Sequence, residues 1–324
     1  MVTRADVARL AGTSTAVVTY VINNGPRPVA AGTRERVLRA IDELGYRPNL
    51  LARSLKAGST KTVGLIVPDI GNPYFAELAR ALEDVLFGAG YSLLLSNSAD
   101  DLERERQHIR ALLDRQADAV LLISLAGAPQ VDEIIGSKRP AIVLHAVPQD
   151  SAASSIYIDD EQAAFDIVRH LRTAHDIDDI AMICGPSEAS VSSQRARGWA
   201  RAIGGDGRLV HESFSLVGGY QAAIRLLAGA DRPRALFAAN DQLAIGAIKA
   251  VAELGLRTPQ DVAVVGFDGI AESRFTLPGL TTVVQPQRQI AEAAFEILSI
   301  PPTYPPTRRM LPHRLALRAS CGCR

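Results

Sequence analysis

Val2-Thr-Arg-Ala-Asp-Val-Ala-Arg-Leu-Ala-Gly12-Thr-Ser-Thr-Ala-Val-Val-Thr-Tyr20 reads as two short helices joined by a tight turn. The first helical piece runs over 6–12 and is stopped by Gly12. Thr3 and Asp6 have the spacing of a capping box, with Asp in place of Glu or Gln. Ser14 offers an N-cap to a second helix over 15–22. A turn this tight is the geometry that puts a second helix into a DNA major groove while the first crosses the phosphates. Thr15 and Ala16 begin that second helix, and Tyr20 lies one turn later on the same face. Their side chains suit base edges: small groups meet a thymine methyl, and a phenol stacks or donates a hydrogen bond. Thr3, Ser14, Thr19 and Asn23, with the helix N-termini, suit phosphate contacts that position a protein without reading sequence. A small helical dimerisation module would show the same pattern, so at this level both readings stand.

Outward from this stretch, Asn23-Asn-Gly-Pro-Arg-Pro28 is a breaker cluster. A third helix follows over 33–44, with Val37, Leu38, Ile41 and Leu44 at helical spacing and Gly45 closing it. Val7, Leu10, Val17, Val21, Leu38 and Ile41 are the expected core of this three-helix unit. Residues 1–62 hold ten Lys and Arg against four Asp and Glu, a net charge of +6, and the rest of the neutral chain carries −6. A basic small end on an acidic body fits a polyanion-binding module, although a solvated charged surface would give the same count.

After Pro48-Asn49 the pattern predicts a short helix over 50–56 and a linker over 57–60. From residue 62 the period changes. Short apolar runs suited to buried parallel strands occur at 62–67, 91–95, 119–123, 141–144, 180–183, 235–238 and 262–265. Amphipathic segments separate them, at 74–88 and 102–115 among others. Alternation of this kind means βαβ units, and the length allows two parallel sheets.

The 324 residues are 47% hydrophobic, enough for two or three domains with a sizeable core. No signal-peptide pattern opens the chain, and no run approaches the roughly 18 apolar residues of a membrane span. Cys184, Cys321 and Cys323 make no disulfide framework, so a reducing, cytoplasmic compartment is expected and a membrane partner is not. Cys321-Gly-Cys323 resembles half of a metal or redox site. With no histidine cluster near it in sequence, neither a metal nor another cofactor is expected.

Several motifs in order resemble the lac repressor/galactose repressor family over essentially the whole chain. They are the stretch from Val2 to Ser14, then Thr33-Arg-Glu-Arg-Val-Leu38, Leu44-Gly-Tyr46-Arg-Pro48-Asn49 and Ala52-Arg-Ser-Leu55. In the body they are Gly64-Leu-Ile-Val-Pro68-Asp-Ile-Gly-Asn72-Pro-Tyr-Phe75, Ala239-Asn240-Asp241 and Val265-Gly-Phe-Asp268. The resemblance implies a helix-turn-helix headpiece over 1–58, with a hinge helix at about 49–57. The body over 59–324 would be an α/β periplasmic-binding-protein-like unit of two Rossmann-like subdomains. Its N-subdomain would span about 61–158 and 286–310, and its C-subdomain about 160–284 and 311–320. Thr15, Ala16 and Tyr20 fall on the family's base-reading positions. Asn49 and Ala52 fall on the hinge helix that enters the minor groove, and Leu55 on the wedge between base pairs. A hinge this short is marginal alone and would order when two copies pair on DNA. One departure is Ala30, where relatives carry a Ser that caps the third helix.

In the body the resemblance implies a cleft for a small, sugar-like molecule, at the carboxyl ends of the strands. Tyr74, Phe75 and Phe214 are candidates to stack on a ring, and Asn240, Asp268 and Gln285 to hold polar groups. Tyr74 and Phe75 also read as core residues, and Asn240 and Asp268 as helix N-caps. Counting back from Gly198-Trp199, Ser193 stands where sugar-responsive members carry an Arg, and Arg195 matches a second family Arg. Either Arg195 or Glu188 substitutes for the lost fork, or the effector is not a typical sugar. His145 replaces a cleft carboxylate of some members. The implied protein is a homodimeric repressor on near-palindromic double-stranded operator DNA, in the cytoplasm and on the nucleoid when bound. No leucine heptad follows the last strand, so a dimer is expected over a tetramer. A solute-binding protein would fit the body alone, but not the helix-turn-helix. No G-x-S-x-G, P-loop or metal-spaced His/Glu set supports an enzyme.

Overall fold

The computed structural model describes residues 2–23, 27–47, 58–124, 130–187, 190–300 and 304–323. The chain divides into two compact units, Met1–Thr60 and Lys61–Arg324.

The first unit holds α1 (Arg4–Leu10), α2 (Thr15–Asn23) and α3 (Ala31–Glu43). Local chemistry sets the ends of α1 and α2. Asp6 N–H donates to Thr3 Oγ1 at 3.3 Å, and Thr3 N–H donates back to the Asp6 carboxylate at 2.9 Å. This is the capping box expected from the spacing. Gly12 takes φ +62, the left-handed conformation that ends a helix. Val17 N–H then donates to Ser14 Oγ at 3.3 Å. α3 starts on Ala30 with no side-chain cap. The core is Val7, Ala8, Ala11, Val18, Val21, Val37, Ala40 and Tyr46. Two expected core residues, Leu10 and Leu38, are instead about half exposed. Val17 and Ile41 pack only partly buried against the core. The stripe on α2 and α3 is shifted by one residue, because Val18 with Val21, and Val37 with Ala40, make the i, i+3 pairs that face inward.

The second unit holds two six-stranded sheets among its described residues. The first is built from β1 (Thr62–Val67), β2 (Ser92–Asn97), β3 (Ala119–Leu122), β4 (Ala141–Val143), β5 (Ser154–Ile158) and β11 (Arg308–Leu311). Its order is β11-β5-β4-β3-β1-β2, all parallel. The helices of this lobe are α4 (Pro73–Gly88), α5 (Leu102–Asp114), α6 (Asp132–Gly136) and α11 (Gln287–Leu298). α4 begins on Asn72, whose Oδ1 accepts from Tyr74 N–H, with Pro73 at the first helical position, where its missing N–H costs nothing.

The second sheet runs β12-β10-β9-β8-β6-β7. Its strands are β6 (Ile180–Cys184), β7 (Leu209–His211), β8 (Ala235–Ala238), β9 (Ala263–Asp268), β10 (Thr281–Val284) and β12 (Arg314–Ala316). Only β12 is antiparallel to its neighbour. Its helices are α7 (Asp160–His175), α8 (Ser190–Ile203), α9 (Leu216–Leu227) and α10 (Asp241–Glu253). Central strands such as β3, β6, β8 and β9 are buried along their whole length, as expected of parallel strands covered by helices on both faces.

The chain crosses between lobes at Asp159–Asp160, at Gln285–Pro286 and at residues 312–313. The last crossing lies just beyond the 310/311 boundary expected from sequence, because β11 keeps Leu311 paired with Ile158. Both sheets reverse their strand order beside the first strand of the lobe, β1 and β6, so the carboxyl ends of those strands face a common cleft. The last turn, a 3₁₀ segment over Ala319–Cys321, returns to the carboxyl end of α7. There Cys321 and Cys323 meet His170 and His175. The sequence reading of two thiols with no histidines near them is corrected here: the fold brings the histidines to them from about 150 residues away.

Candidate nucleic-acid interface and ligand cleft

In the headpiece, Thr15 and Ala16 are exposed at the start of α2, while Thr19 and Tyr20 are half-buried one turn on. Thr15 and Ala16 are therefore accessible at the start of α2, and Tyr20 follows Ala16 by one turn. Ser14 and Thr3 are occupied as caps, although both stay exposed. The Thr19 hydroxyl donates to Thr15 O at 2.8 Å and lies 3.4 Å from Arg4 Nη1, so it orients an arginine at the start of α1. Asn23 closes α2, and its side chain lies outside the described residues. So do Asn49, Ala52 and Leu55 of the expected hinge.

In the body, a cavity of about 190 Å³ lies between the lobes. Of the nine residues expected there, Tyr74, Phe75, His145, Arg195, Phe214, Asn240, Asp268 and Gln285 line it, and Ser193 does not. Ser193 is exposed on α8. Residues two apart on a helix point about 200° apart, so the turn that buries Arg195 turns Ser193 outward. Val191, four residues before Arg195, takes the inward position. Glu188 lies outside the described residues.

Arg195 is the centre of the cleft. Its Nε donates to Asp160 Oδ1 at 2.7 Å and its Nη1 to Ala239 O at 2.6 Å, and Nη1 stands 3.6 Å from Asp268 Oδ1. The guanidinium lies 3.6 Å over the Phe267 ring. All this is buried, so the arginine's charge is matched inside the protein. A chain of hydrogen bonds then runs between the lobes. Tyr74 Oη donates to Gln285 Oε1 at 3.0 Å, and Gln285 Nε2 donates to Asp268 Oδ1 at 2.8 Å. Burial pushes the Asp268 carboxyl up to about 7, against the opposing pull of Arg195. Burial likewise raises the Tyr74 phenol well above its ordinary value, so it stays a donor. Asp268 begins no helix and adopts φ +109, so the N-cap reading does not apply to it. Its strained backbone is held by Asp241, whose carboxylate accepts from Gly269 N–H and Ile270 N–H at 2.9 Å and from Thr282 Oγ1 at 2.5 Å. Asn240 is a helix cap, its Oδ1 accepting from Leu243 N–H at 2.8 Å at the start of α10, and it also lines the cavity.

His145 Nδ1 pairs with Ala146 O at 2.8 Å, which fixes the tautomer with the proton on Nδ1. Burial lowers its pKa, so the ring is neutral near pH 7 and Nε2 is a bare acceptor. That Nε2 is buried with no partner. Tyr74 and Phe75 meet edge to face at 5.3 Å on one wall, and both also belong to the core of the first lobe. Phe214 lies against Gly185, where an added Cβ would fall 2.0 Å from the ring. Asp160 and Asp241 were not singled out from sequence. The Asp159–Asp160 pair at a lobe crossing is the available signal for the first, and the Ala239-Asn240-Asp241 motif is the signal for the second.

This geometry can be set beside known proteins. Residues 3–49 match the model of bacterial regulatory proteins of the lacI family, and residues 168–321 match that of a periplasmic binding protein-like domain. Catabolite control protein A of Priestia megaterium is 35% identical over 331 residues, covering 98% of this chain and 99% of that protein. The HTH-type transcriptional repressor PurR of Vibrio campbellii is 35% identical over 307 residues, covering 92% and 91%. The structure of the lac repressor dimer bound to operator and the anti-inducer ONPF superimposes with a TM-score of 0.88 at 26% identity, covering 99% of both chains. No described helix is long and apolar enough to cross a membrane. The chain belongs to the lacI family of bacterial regulatory proteins and is a DNA-binding transcriptional regulator with an effector-binding body.

Proposed function

We propose that the chain is a homodimeric repressor whose hold on a near-palindromic operator is set by a small, uncharged, hydrogen-bonding ring in the cleft of the body. The carrying observation is the state of Arg195. Among the described lining residues it is the only Lys or Arg, and Asp160 and Asp268 already match its charge. Asp69 and Asp100 add two further carboxylates to the wall. A phosphorylated effector would enter a cleft with no unmatched cation, and unpaired buried charge is costly. A neutral ring finds an acceptor in His145 Nε2, a donor in the Asn240 amide NH2, and the Tyr74 oxygen, whose proton goes to Gln285, as a further acceptor. Phe214 and Phe75 supply faces for stacking. A cavity of about 190 Å³ is smaller than the roughly 300–1,000 Å³ of sites for drug-sized molecules, which suits a single ring system such as a monosaccharide or a base.

On the DNA side, Thr15, Ala16 and Tyr20 read bases, while Thr3, Ser14, Thr19 and Asn23 position the headpiece on phosphates. Asn49 and Ala52 belong to the hinge helix, and Leu55 is its wedge. Headpiece and hinge occupy about residues 1–58. The regulator acts in the cytoplasm, on the nucleoid when bound. Thermal-shift screening and calorimetry with neutral sugars, nucleobases and nucleosides, each beside its phosphorylated counterpart, test the cleft. The neutral member of a pair binds more tightly; a consistent preference for the phosphorylated member overturns the reading. A Leu55→Ala variant that holds operator as tightly as the wild type overturns the wedge.

A further inference from the structure

Far from the cleft, the carboxyl end of α7 and the 3₁₀ turn over Ala319–Cys321 bring four soft ligand atoms together. His170 and His175 lie on α7 at an H-x4-H spacing, and Cys321 and Cys323 flank Gly322. His170 Nε2 is 3.2 Å from His175 Nε2, 3.6 Å from Cys321 Sγ and 3.4 Å from Cys323 Sγ. Cys323 Sγ is 3.4 Å from His175 Nε2, and all four atoms lie within 4.8 Å of one another. Bonds of about 2.0–2.1 Å to nitrogen and about 2.3 Å to sulfur at tetrahedral angles set ligand atoms about 3.3 Å apart for N···N and about 3.6 Å for N···S. Those four separations match that pattern to a few tenths of an ångström, and the widest pair, within 4.8 Å, would close by up to about 1 Å around an ion.

We propose that His170, His175, Cys321 and Cys323 bind one zinc ion as a closed, structural Cys2His2 site. Two imidazole nitrogens and two thiolates are the donor set that a tetrahedral zinc site takes, and with four protein ligands no position is left for a substrate. The surroundings fit. Cys321 is buried, and the Thr281 hydroxyl lies 3.1 Å from its Sγ, placed to donate to a thiolate. Ser320 pins the turn to the sheet, its Oγ donating to Val264 O at 2.6 Å and accepting from Thr281 N–H at 2.8 Å. One intervening residue is a short spacer for two ligands. Gly322 makes it workable: its φ of +106 favours glycine, and a Cβ there would press 3.2 Å from the His175 ring. A cavity of about 370 Å³ bordered by Asp166, Arg169, Thr173, His313 and Arg314 reaches His170. The ion would tie the turn to α7, the helix whose other end carries Asp160 in the cleft.

The test uses the full chain purified under reducing conditions. Metal analysis gives close to one zinc per chain in the wild type and none in Cys321→Ser/Cys323→Ser. After removal of zinc by a chelator, added Co2+ gives the intense visible bands of a tetrahedral ion with a thiolate charge-transfer band. A His170→Gln variant binds zinc at least tenfold more weakly. Chelation lowers the melting temperature of the wild type and leaves the double variant unmoved, provided both still bind duplex DNA and so are folded. The proposal is overturned by a folded wild type that takes up no stoichiometric zinc or cobalt. A pale octahedral cobalt spectrum, a spectrum that survives in the double variant, or the mass loss of a Cys321–Cys323 disulfide in freshly reduced protein overturns it as well.

Discussion

Arg195 Nε lies 2.7 Å from Asp160 Oδ1, with both side chains about 7% exposed, and this pair joins α8 to the first crossing between the lobes. Neither charge has water to fall back on. Arg195→Met leaves Asp160 and Asp268 facing each other without a cation. Breaking a buried pair in this way costs about 3–5 kcal/mol, because the surviving charge stays buried. Urea denaturation of the two proteins at neutral pH measures the difference. A loss under about 1 kcal/mol would mean that the pair is solvated.

Asp268 gives a pH dependence with a definite sign. Its carboxyl is raised from an ordinary 3.8 to about 7 by burial in the folded chain. The folded state therefore holds this proton more tightly than the unfolded state. The stability it contributes is full below about pH 4 and is lost as pH rises towards about 7. Asp268→Asn removes that dependence. The stability of the wild type minus that of the variant falls between about pH 4 and 7 and is flat above. A difference that rises over that window contradicts the burial argument.

The start of α3 is an uncapped helix end. Ala30 takes an extended conformation and offers no side-chain acceptor. Ala30→Ser supplies one and raises the stability of the headpiece by about 1 kcal/mol. Thermal unfolding of the isolated residues 1–60 unit, or hydrogen exchange at Thr33 and Arg34 in the full chain, reads this out. No change would place the cap on another residue.

Gly185 keeps room for a cleft wall. A methyl group at this position would overlap the Phe214 ring, so Gly185→Ala pushes the ring out of place. Binding of the neutral ligand identified by screening weakens by roughly 2- to 12-fold, the worth of a stacked aromatic face of about 0.5–1.5 kcal/mol. DNA binding without ligand stays as in the wild type. Calorimetry and operator titration separate the two effects.

What the sequence carried well was local or strongly periodic. Thr3 with Asp6, and Ser14 before α2, announce helix ends through contacts three residues long. Buried strands such as β1 and β8 stand out as apolar runs. Three kinds of feature were hidden. Short, partly exposed edge strands such as β7 and β12 bury too few residues to leave a pattern. Register on a helix needs the angle as well as the count, which is why Ser193 was placed in the cleft while Val191, one turn before Arg195, was passed over. Long-range meetings leave no local trace at all. Arg195 with Asp160, Asp241 with Thr282, and the cysteines with His170 and His175 are set by topology, and residues 35 to about 150 apart in sequence become neighbours only in the fold.

The central claim is that occupancy of the cleft changes the hold on operator. Fluorescence anisotropy on a labelled palindromic duplex, selected from random sequence with the full chain, measures it most directly. Titrations are run at fixed salt, with and without the tightest neutral ligand from the screen. The account predicts sequence-specific binding whose affinity shifts by about 5–150-fold when the ligand is present, with operator shifting ligand affinity by the same factor. Equal operator affinity at zero and saturating ligand would contradict it.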